Sequence, residues 1–300
     1  MALRTSTSAF VAVCITIISW ASAYPAIRVG LTAFSPGQLA ALRFLVATAI
    51  FAIYLAFTRP QLPRGGHLAR LVLAGALGIA AYNLLLNTGE LTVSAGAASF
   101  LINCMPVFAA LLAVAFLGER LRPLGWLGVA VSFGGVLVIA LGGGGLQMGR
   151  GALLVLGAAL CAAVMGLLQK PLLEHYTAPA VTAGLMASGA LLLSPFLPGA
   201  LRVAMQPQAH QALLAAIFLG IAPAALGYLA WTIVLRHFTL SQTASLLYLI
   251  PLVTVSISFV WIHERPTVLS LTGGMVAILG VVLVHRHGKP AAVPRHTTAD

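Results

Sequence analysis

Residues 91–118 read LTVSAGAASFLINCMPVFAALLAVAFLG, and no charged side chain interrupts them between Glu90 and Glu119. A helix needs about 20 mostly apolar residues to cross the hydrocarbon core of a bilayer. The strands of a membrane barrel would instead alternate polar and apolar residues, and this stretch shows no such alternation. The segment is therefore predicted to be a transmembrane α-helix.

The rest of the chain has the same character. Nine stretches of 19 to 33 residues lie between successive charged residues, and a tenth apolar segment, about residues 38–57, contains Arg43. Apolar residues make up 60% of the 300-residue chain and charged residues 7%, whereas soluble domains have about 25% charged residues. The composition excludes a soluble fold and predicts an all-α integral membrane protein with ten transmembrane helices.

The net charge of +11 indicates an orientation in the membrane. The basic residues are spaced along the chain, so they do not form the clustered patch that a nucleic-acid partner requires. With the N-terminus inside, 11 Lys and Arg residues fall in inner segments and 4 in outer loops. Because inner loops carry the excess of basic residues, both termini are predicted to be cytoplasmic. We expect the protein in the plasma (inner) membrane of a bacterium.

The two halves of the chain repeat each other. At an offset of 145 residues the matched pairs are Pro106 and Pro251, Glu119 and Glu264, Gly128 and Gly273, and Gly135 and Gly280, and upstream Leu77–Ala80 matches Leu219–Ala222. A copy with five helices forces the next copy to enter the membrane upside down. We therefore predict two inverted five-helix repeats, residues 1–145 and 146–285, followed by a cytoplasmic tail, residues 286–300. Inverted repeats are a recurring architecture of secondary transporters.

One signature resembles a known family. It consists of Ala115-Phe-Leu-Gly-Glu-Arg-Leu121, Gly128, Gly134-Gly-Val136, and Ser35-Pro36 ahead of Ala40-Ala-Leu-Arg-Phe44. In these residues the chain is similar to the EamA family of the drug/metabolite transporter superfamily, and within it to YddG-type exporters of aromatic amino acids. The resemblance covers essentially the whole chain. It implies a ten-helix exporter of amino acids, aromatic ones in particular, and of related small metabolites, and the inverted repeats indicate secondary transport by alternating access.

Aromatic and amide residues inside the spans are the candidates for substrate contact. A planar zwitterion requires aromatic walls, amide groups and backbone groups freed near proline breaks. The candidates are Trp20, Tyr24, Tyr82, Asn83, Asn103, Trp231 and Tyr248. For each of them the alternative is hydrogen bonding between helices or a place in the interfacial aromatic belt.

Arg43 is the one charge well inside a predicted span. A buried arginine is costly in lipid, so it could contact a ligand carboxylate or act in gating. Because it lies only seven residues beyond Pro36, we favour a side chain that snorkels to the outer interface. Glu119 and Glu264, which lie in loops beside Arg120 and Arg265, are interpreted as helix-end anchors in interfacial ion pairs, and Glu90 is interpreted as a similar anchor. No acidic residue is placed at membrane depth, which predicts no antiport of protons against cationic drugs through such a carboxylate.

The sequence offers no catalytic constellation. His263-Glu-Arg-Pro-Thr267 lacks the second histidine of a zinc-protease motif, and neither a metal site nor a cofactor is expected. The chain is predicted not to be an enzyme and to act as a monomer, with a small-molecule substrate and membrane lipid as its partners. A nucleotide-sugar or sugar-phosphate exchanger of the same superfamily, a channel and an intramembrane enzyme remain as alternatives.

Overall fold

The computed structural model describes residues 7–117, 121–141, 146–237 and 247–287, and their regular structure is entirely helical. Ten helical segments follow one another along the chain. They are α1 Thr7–Gly30, α2 Pro36–Thr58, α3 Gly66–Gly89, α4 Ala95–Ile102 with Met105–Leu117, α5 Pro123–Leu141, α6 Leu146–Gln169, α7 Ala178–Ala204, α8 His210–Leu219 with Gly220–Gly227 and Tyr228–His237, α9 Ile250–Trp261, and α10 Val268–His287. Eight of them are long and apolar enough to span a membrane, and α5 and α9 are shorter apolar helices.

Short polar signals start the helices at the membrane surface. Ser35 accepts a hydrogen bond from the backbone N–H of Gln38, and the Gln38 side chain accepts one from the backbone N–H of Ser35. This capping box satisfies donors that the first turn of α2 would leave without partners. Ser94 caps α4 in the same way by accepting from the N–H of Ala97. These caps give α2 and α4 defined starting points.

The packing of the helices follows the predicted duplication. Helix α1 packs against α8 and α9, and its counterpart α6 packs against α3 and α4. Likewise α2 contacts α8, and its counterpart α7 contacts α3. Equivalent helices also contact each other, since α2 packs against α7 and α5 packs against α10. Exchanging the first five helices with the last five therefore leaves these contacts unchanged. The prediction of an all-helical membrane protein built on an internal repeat is confirmed.

The inversion of the second copy is visible where α5 meets α10. A Cβ atom added to Gly128 would lie 2.7 Å from the carbonyl oxygen of Gly280, and Gly135 lies against the backbone of Gly273. Since the residue numbers rise in opposite directions along the two helices, the helices run antiparallel. Equivalent helices of two tandem copies are antiparallel only if one copy is inverted in the membrane.

Both copies interrupt their helices at matching places. Helix α3 contains a π-helical segment, Ala76–Ala81, and α8 contains another, Gly220–Gly227. These segments coincide with the repeated Leu-Gly-Ile-Ala sequence. Helix α4 breaks after Ile102, ahead of Pro106, and α9 starts at Ile250, ahead of Pro251. Segments of π-helix are frequently found at functional sites. We therefore expect a functional site near these four interruptions, in the middle of the bundle.

The edges of the predicted repeats are only partly described. Helix α10 continues through His287, two residues beyond the predicted end of the second repeat. The rest of the predicted tail, residues 288–300, lies outside the described residues, as do the predicted boundary at residue 145 and the pair Glu119 and Arg120. The repeat boundaries therefore stay predictions.

The seam between α5 and α10 provides a test of the packing. Gly135→Ala should destabilise the protein by about 1–3 kcal/mol, because the new methyl group would overlap backbone atoms of Ala277. Gly134→Ala is the matched control, since a Cβ atom at Gly134 meets nothing within 4 Å. Thermal unfolding of the two variants in detergent measures the difference. Equal stabilities would show that the helices do not meet at Gly135.

Candidate functional site

A central cavity of about 110 Å³ lies at the interruptions of the helices. Seven helices line it: α1, α2, α3, α4, α6, α8 and α9. Its walls are mostly apolar, and Arg43 is the one charged residue among the described residues that line it. The cavity has room for several water molecules. An enclosed apolar chamber with few polar groups is the usual form of a small-molecule site.

Three aromatic rings form one wall of the cavity. The ring centroid of Trp20 lies 5.4 Å from that of Tyr228 and 5.1 Å from that of Trp231. Gly227 permits this approach, because a Cβ atom there would lie 2.9 Å from Nε1 of Trp20. Nε1 of Trp20 is buried and makes no hydrogen bond with the described residues. The wall therefore offers apolar ring faces together with one unused donor.

Arg43 reaches the cavity from α2 and does not snorkel to the interface. Only 3% of this residue is exposed, and its Nη1 donates to Oδ1 of Asn83 at 2.9 Å. Asn83 in turn donates to the carbonyl oxygen of Ile79, inside the π-helical segment of α3, at 2.8 Å. The favoured interpretation of Arg43 is thus wrong, because Asn83 offers the guanidinium a polar partner within the bundle. Nε of Arg43 has no hydrogen-bond partner among the described residues.

Tyrosine hydroxyl groups surround this guanidinium group. Those of Tyr24 and Tyr82 lie close enough to interact with each other, and that of Tyr228 interacts with Asn83. All three tyrosines and Arg43 line the cavity. A cation held among hydroxyl and amide groups in an apolar chamber is suited to bind an anionic group.

Asn103 occupies the break in α4. Its Nδ2 donates to the carbonyl oxygen of Ser99 at 2.9 Å, while its buried Oδ1 accepts no hydrogen bond from the described residues. Pro106, three residues later, has no backbone N–H and also lines the cavity. Asn103 therefore presents a hydrogen-bond acceptor in the same chamber that holds the Arg43 cation.

The structure brings most of the sequence-predicted site residues together. Trp20, Tyr24, Tyr82, Asn103 and Trp231 line the cavity, and Asn83 contacts it through Arg43. Tyr248 is the exception: it packs against an apolar cluster that includes Val107, Val129 and Val281.

Most of the residues that line the cavity were not predicted, and Met165 on α6 is one of them. Tyr228, which the spacing of three residues on α8 pairs with Trp231, also lines the cavity. The repeat offset of 145 carries Trp20 to Met165. Applying that offset to Trp20 was the signal that could have found Met165.

A second polar cluster lies at the end of the bundle that the predicted orientation places outside. Nε of Arg28 lies 3.9 Å from Oε2 of Glu264, whose carboxylate accepts from the backbone N–H groups of Ala95 and Gly96 at 3.4 Å. Glu264 thus anchors the start of α4, and a negative charge at a helix N-terminus is stabilising. The prediction of a helix-end anchor is confirmed for Glu264, with Arg28 as its cation.

Glu90 belongs to the same cluster but is not an interfacial anchor. It is the first residue after α3, it is 0% exposed, and neither of its carboxylate oxygens has a hydrogen-bond partner among the described residues. Arg28 donates to the backbone carbonyl oxygen of Glu90. Burial raises the pKa of the Glu90 carboxyl well above its usual range. The interfacial interpretation fails because the neighbouring helices cover this helix end.

Comparison with known proteins gives the family. Residues 7–141 and 149–286 each match the EamA-like transporter family. The chain is 39% identical to a probable terminal-alkyne amino-acid exporter of Streptantibioticus cattleyicolor, over 92% of each chain. It is 27% identical to a probable amino-acid metabolite efflux pump of Escherichia coli, over 89% of this chain and 91% of that one.

A solved crystal structure shares the fold. It has 20% sequence identity and a TM-score of 0.62, and the similarity covers 92% of this chain and 96% of the other. The two matched stretches correspond to the two sets of five helices and together cover nearly the whole chain. The aromatic and cationic cavity therefore lies in a transporter and not in an enzyme: the chain belongs to the EamA-like transporter family.

Proposed function

We propose that this transporter exports amino acids with apolar side chains, aromatic ones included, out of the bacterial cytoplasm. The single observation that carries the proposal is a buried cation, Arg43, with an unused Nε donor in a chamber whose other walls are apolar and aromatic. A free amino acid with an apolar side chain has the complementary chemistry, since it joins a carboxylate to an apolar group.

Each part of such a substrate has a counterpart in the cavity. The carboxylate binds the guanidinium of Arg43, because charge-assisted hydrogen bonds are strong in a chamber of low polarity. The ammonium group donates to Oδ1 of Asn103, which is buried without a partner. The side chain packs on the rings of Trp20 and Trp231. One of the two relatives described above is named as an amino-acid exporter and the other as an amino-acid metabolite efflux pump. Both names support the same substrate class.

Phosphorylated substrates fit this chamber less well. A sugar phosphate or nucleotide sugar carries more negative charge than a carboxylate and requires several cations. Arg43 is the single cation among the described residues that line the cavity. The charge of the site therefore favours a zwitterion over a phosphorylated substrate.

Transport by alternating access is the mechanism we propose. The cavity is shared by helices of both copies, and the contacts of each copy are repeated in the other. Two related halves around one central site can exchange roles by rocking, which exposes the site to each side in turn. The orientation with both termini in the cytoplasm is part of this proposal and follows from the distribution of basic residues.

Counterflow in liposomes tests the substrate class. Purified protein in vesicles loaded with unlabelled leucine or tryptophan should take up the labelled amino acid with saturation. Vesicles loaded with glucose 6-phosphate should not take up labelled glucose 6-phosphate. Saturable exchange of the sugar phosphate without exchange of either amino acid would reject the proposal.

Replacing Arg43 tests the carboxylate contact. Arg43→Leu should raise the KM for tryptophan by about 10- to 100-fold, because a hydrogen bond to a charged group contributes roughly 1.5–3 kcal/mol. Tryptamine, which lacks the carboxylate, should compete with labelled tryptophan equally in the variant and in the wild type. Arg70→Leu replaces an exposed arginine of α3 and serves as the control. An unchanged KM in Arg43→Leu would remove Arg43 from the substrate site.

The aromatic wall gives a further test. Trp20→Ala, Tyr82→Ala and Trp231→Ala should each lower the rate of tryptophan counterflow by about tenfold, since each loses ring contacts of roughly 1–1.5 kcal/mol. Trp126→Ala is the matched control, because 49% of Trp126 is exposed on α5. Size-exclusion profiles establish that the variants fold. Wild-type rates in all three variants would show that the rings do not contact the substrate.

A further inference from the structure

Glu90 continues the face of α3 that lines the cavity. Tyr82, Leu86 and Glu90 follow one another at intervals of four residues, and residues four apart lie on the same side of a helix. Tyr82 and Leu86 both line the cavity. Glu90 therefore lies between the central chamber and the ion pair of Arg28 and Glu264 at the outer end.

The neighbouring charges leave the Glu90 carboxyl without a dedicated partner. Arg28 on α1 donates to the backbone carbonyl of Glu90 and directs its Nε towards Glu264 in the loop after α9. Arg43 on α2 donates to Asn83. Both guanidinium groups thus interact with other acceptors. No hydrogen bond from the described residues reaches the carboxylate oxygens of Glu90.

The remaining titratable groups around Glu90 do not supply a compensating charge. The hydroxyl groups of Tyr24 on α1 and Tyr82 on α3 interact electrostatically with the Glu90 carboxyl. The other two arginines to consider, Arg150 of α6 and Arg265 just before α10, have exposed side chains. Burial raises the pKa of the Glu90 carboxyl, Glu264 raises it further, and Arg28 and Arg43 lower it. Burial therefore favours the neutral form of this carboxyl over the charged form.

We propose that Glu90 is a proton-binding site of the transport cycle: it binds a proton from outer water while the outer end of the bundle is open, it is neutral as that end closes over it, and it releases the proton after the cavity has opened to the cytoplasm. The direction of transport in this proposal rests on the export function proposed above, whereas the proton site itself does not depend on the substrate. The ligand is a single proton, which adds to one carboxylate oxygen of Glu90 from outer water.

This site can couple export to a proton gradient. After the substrate leaves to the outside, a proton from the outer solution binds the exposed carboxylate and neutralises it. The outer end can then close, because the buried group carries no charge. When the cavity opens to the cytoplasm, the proton leaves along the face of Leu86 and Tyr82 to cytoplasmic water. One proton enters for each cycle, so an inward proton gradient drives the substrate outward.

Infrared spectroscopy tests the proton site without any substrate. The chain has only five acidic side chains, so the carbonyl stretch of one protonated carboxyl group can be assigned by substitution. Wild-type protein in lipid nanodiscs should show this band at neutral pH. Glu90→Gln should lose the band, and Glu174→Gln, which replaces an exposed carboxyl, should retain it. Absence of the band from the wild type, or its persistence in Glu90→Gln, would overturn the proposal.

Transport in vesicles tests the coupling. With an imposed pH gradient, wild-type vesicles should accumulate labelled leucine on the more acidic side, against the leucine gradient, as protons flow down their own gradient to the less acidic side. Glu90→Gln should keep leucine counterflow, which moves no net protons, and lose this accumulation. Accumulation that persists in Glu90→Gln, or wild-type vesicles that accumulate no leucine under the pH gradient although they show leucine counterflow, would refute coupling through Glu90.

The two experiments separate the two proposals. If wild-type vesicles exchange no amino acid, the substrate class is wrong, and the infrared band still decides whether Glu90 binds a proton. If Glu90→Gln does not fold, the infrared titration of the wild type and of Glu90→Asp, which retains a carboxyl group, decides the question. A wild-type spectrum without a protonated carboxyl at neutral pH would then stand against the site.

Discussion

Lipid offers no hydrogen-bond partner to a polar group, and the rest of this structure depends on that constraint. Every backbone group inside the bilayer must find its partner within the protein. The helices of this chain are interrupted at four matching places, and a residue at or directly next to each interruption lines one cavity. The irregular backbone is gathered where protein surrounds it. Because interrupted backbone is costly in contact with lipid, the interruptions lie together inside the protein, and the chamber is formed there.

Two kinds of interface result from this arrangement. The seam of α5 and α10 is built on glycines that bring two backbones into contact, which leaves little room for movement at that place. The cavity is held instead by rings, amide groups and one guanidinium, whose contacts can exchange partners. A close-packed seam beside a polar and aromatic chamber suits a protein whose halves move around a central site while remaining attached.

The sequence predicts the helices well because the gaps between charges measure distance along the chain directly. It also predicts the repeat, because Pro106 and Pro251 are separated by the same number of residues as the paired glycines. Depth and rotation are harder to predict. Arg43 was expected at the interface from its distance to Pro36, but Asn83 on another helix holds it inside. Glu90 follows the span by one residue, yet neighbouring helices bury it completely. Tyr248 packs against the apolar cluster of Val107, Val129 and Val281, although Leu247 and Ile250 on either side of it line the cavity. In each case the deciding contact lies on a segment distant in sequence.

The attachment of Glu264 to the start of α4 has a consequence for how the protein could have arisen. A carboxylate encoded in the second copy holds a helix encoded in the first, and Arg28 of the first copy holds that carboxylate. An ancestral gene encoding a single five-helix unit would have had to supply both partners from two separate chains. In a single chain each copy needs to supply only its own share of the cluster. Splitting the present gene at the join would separate groups that now depend on each other.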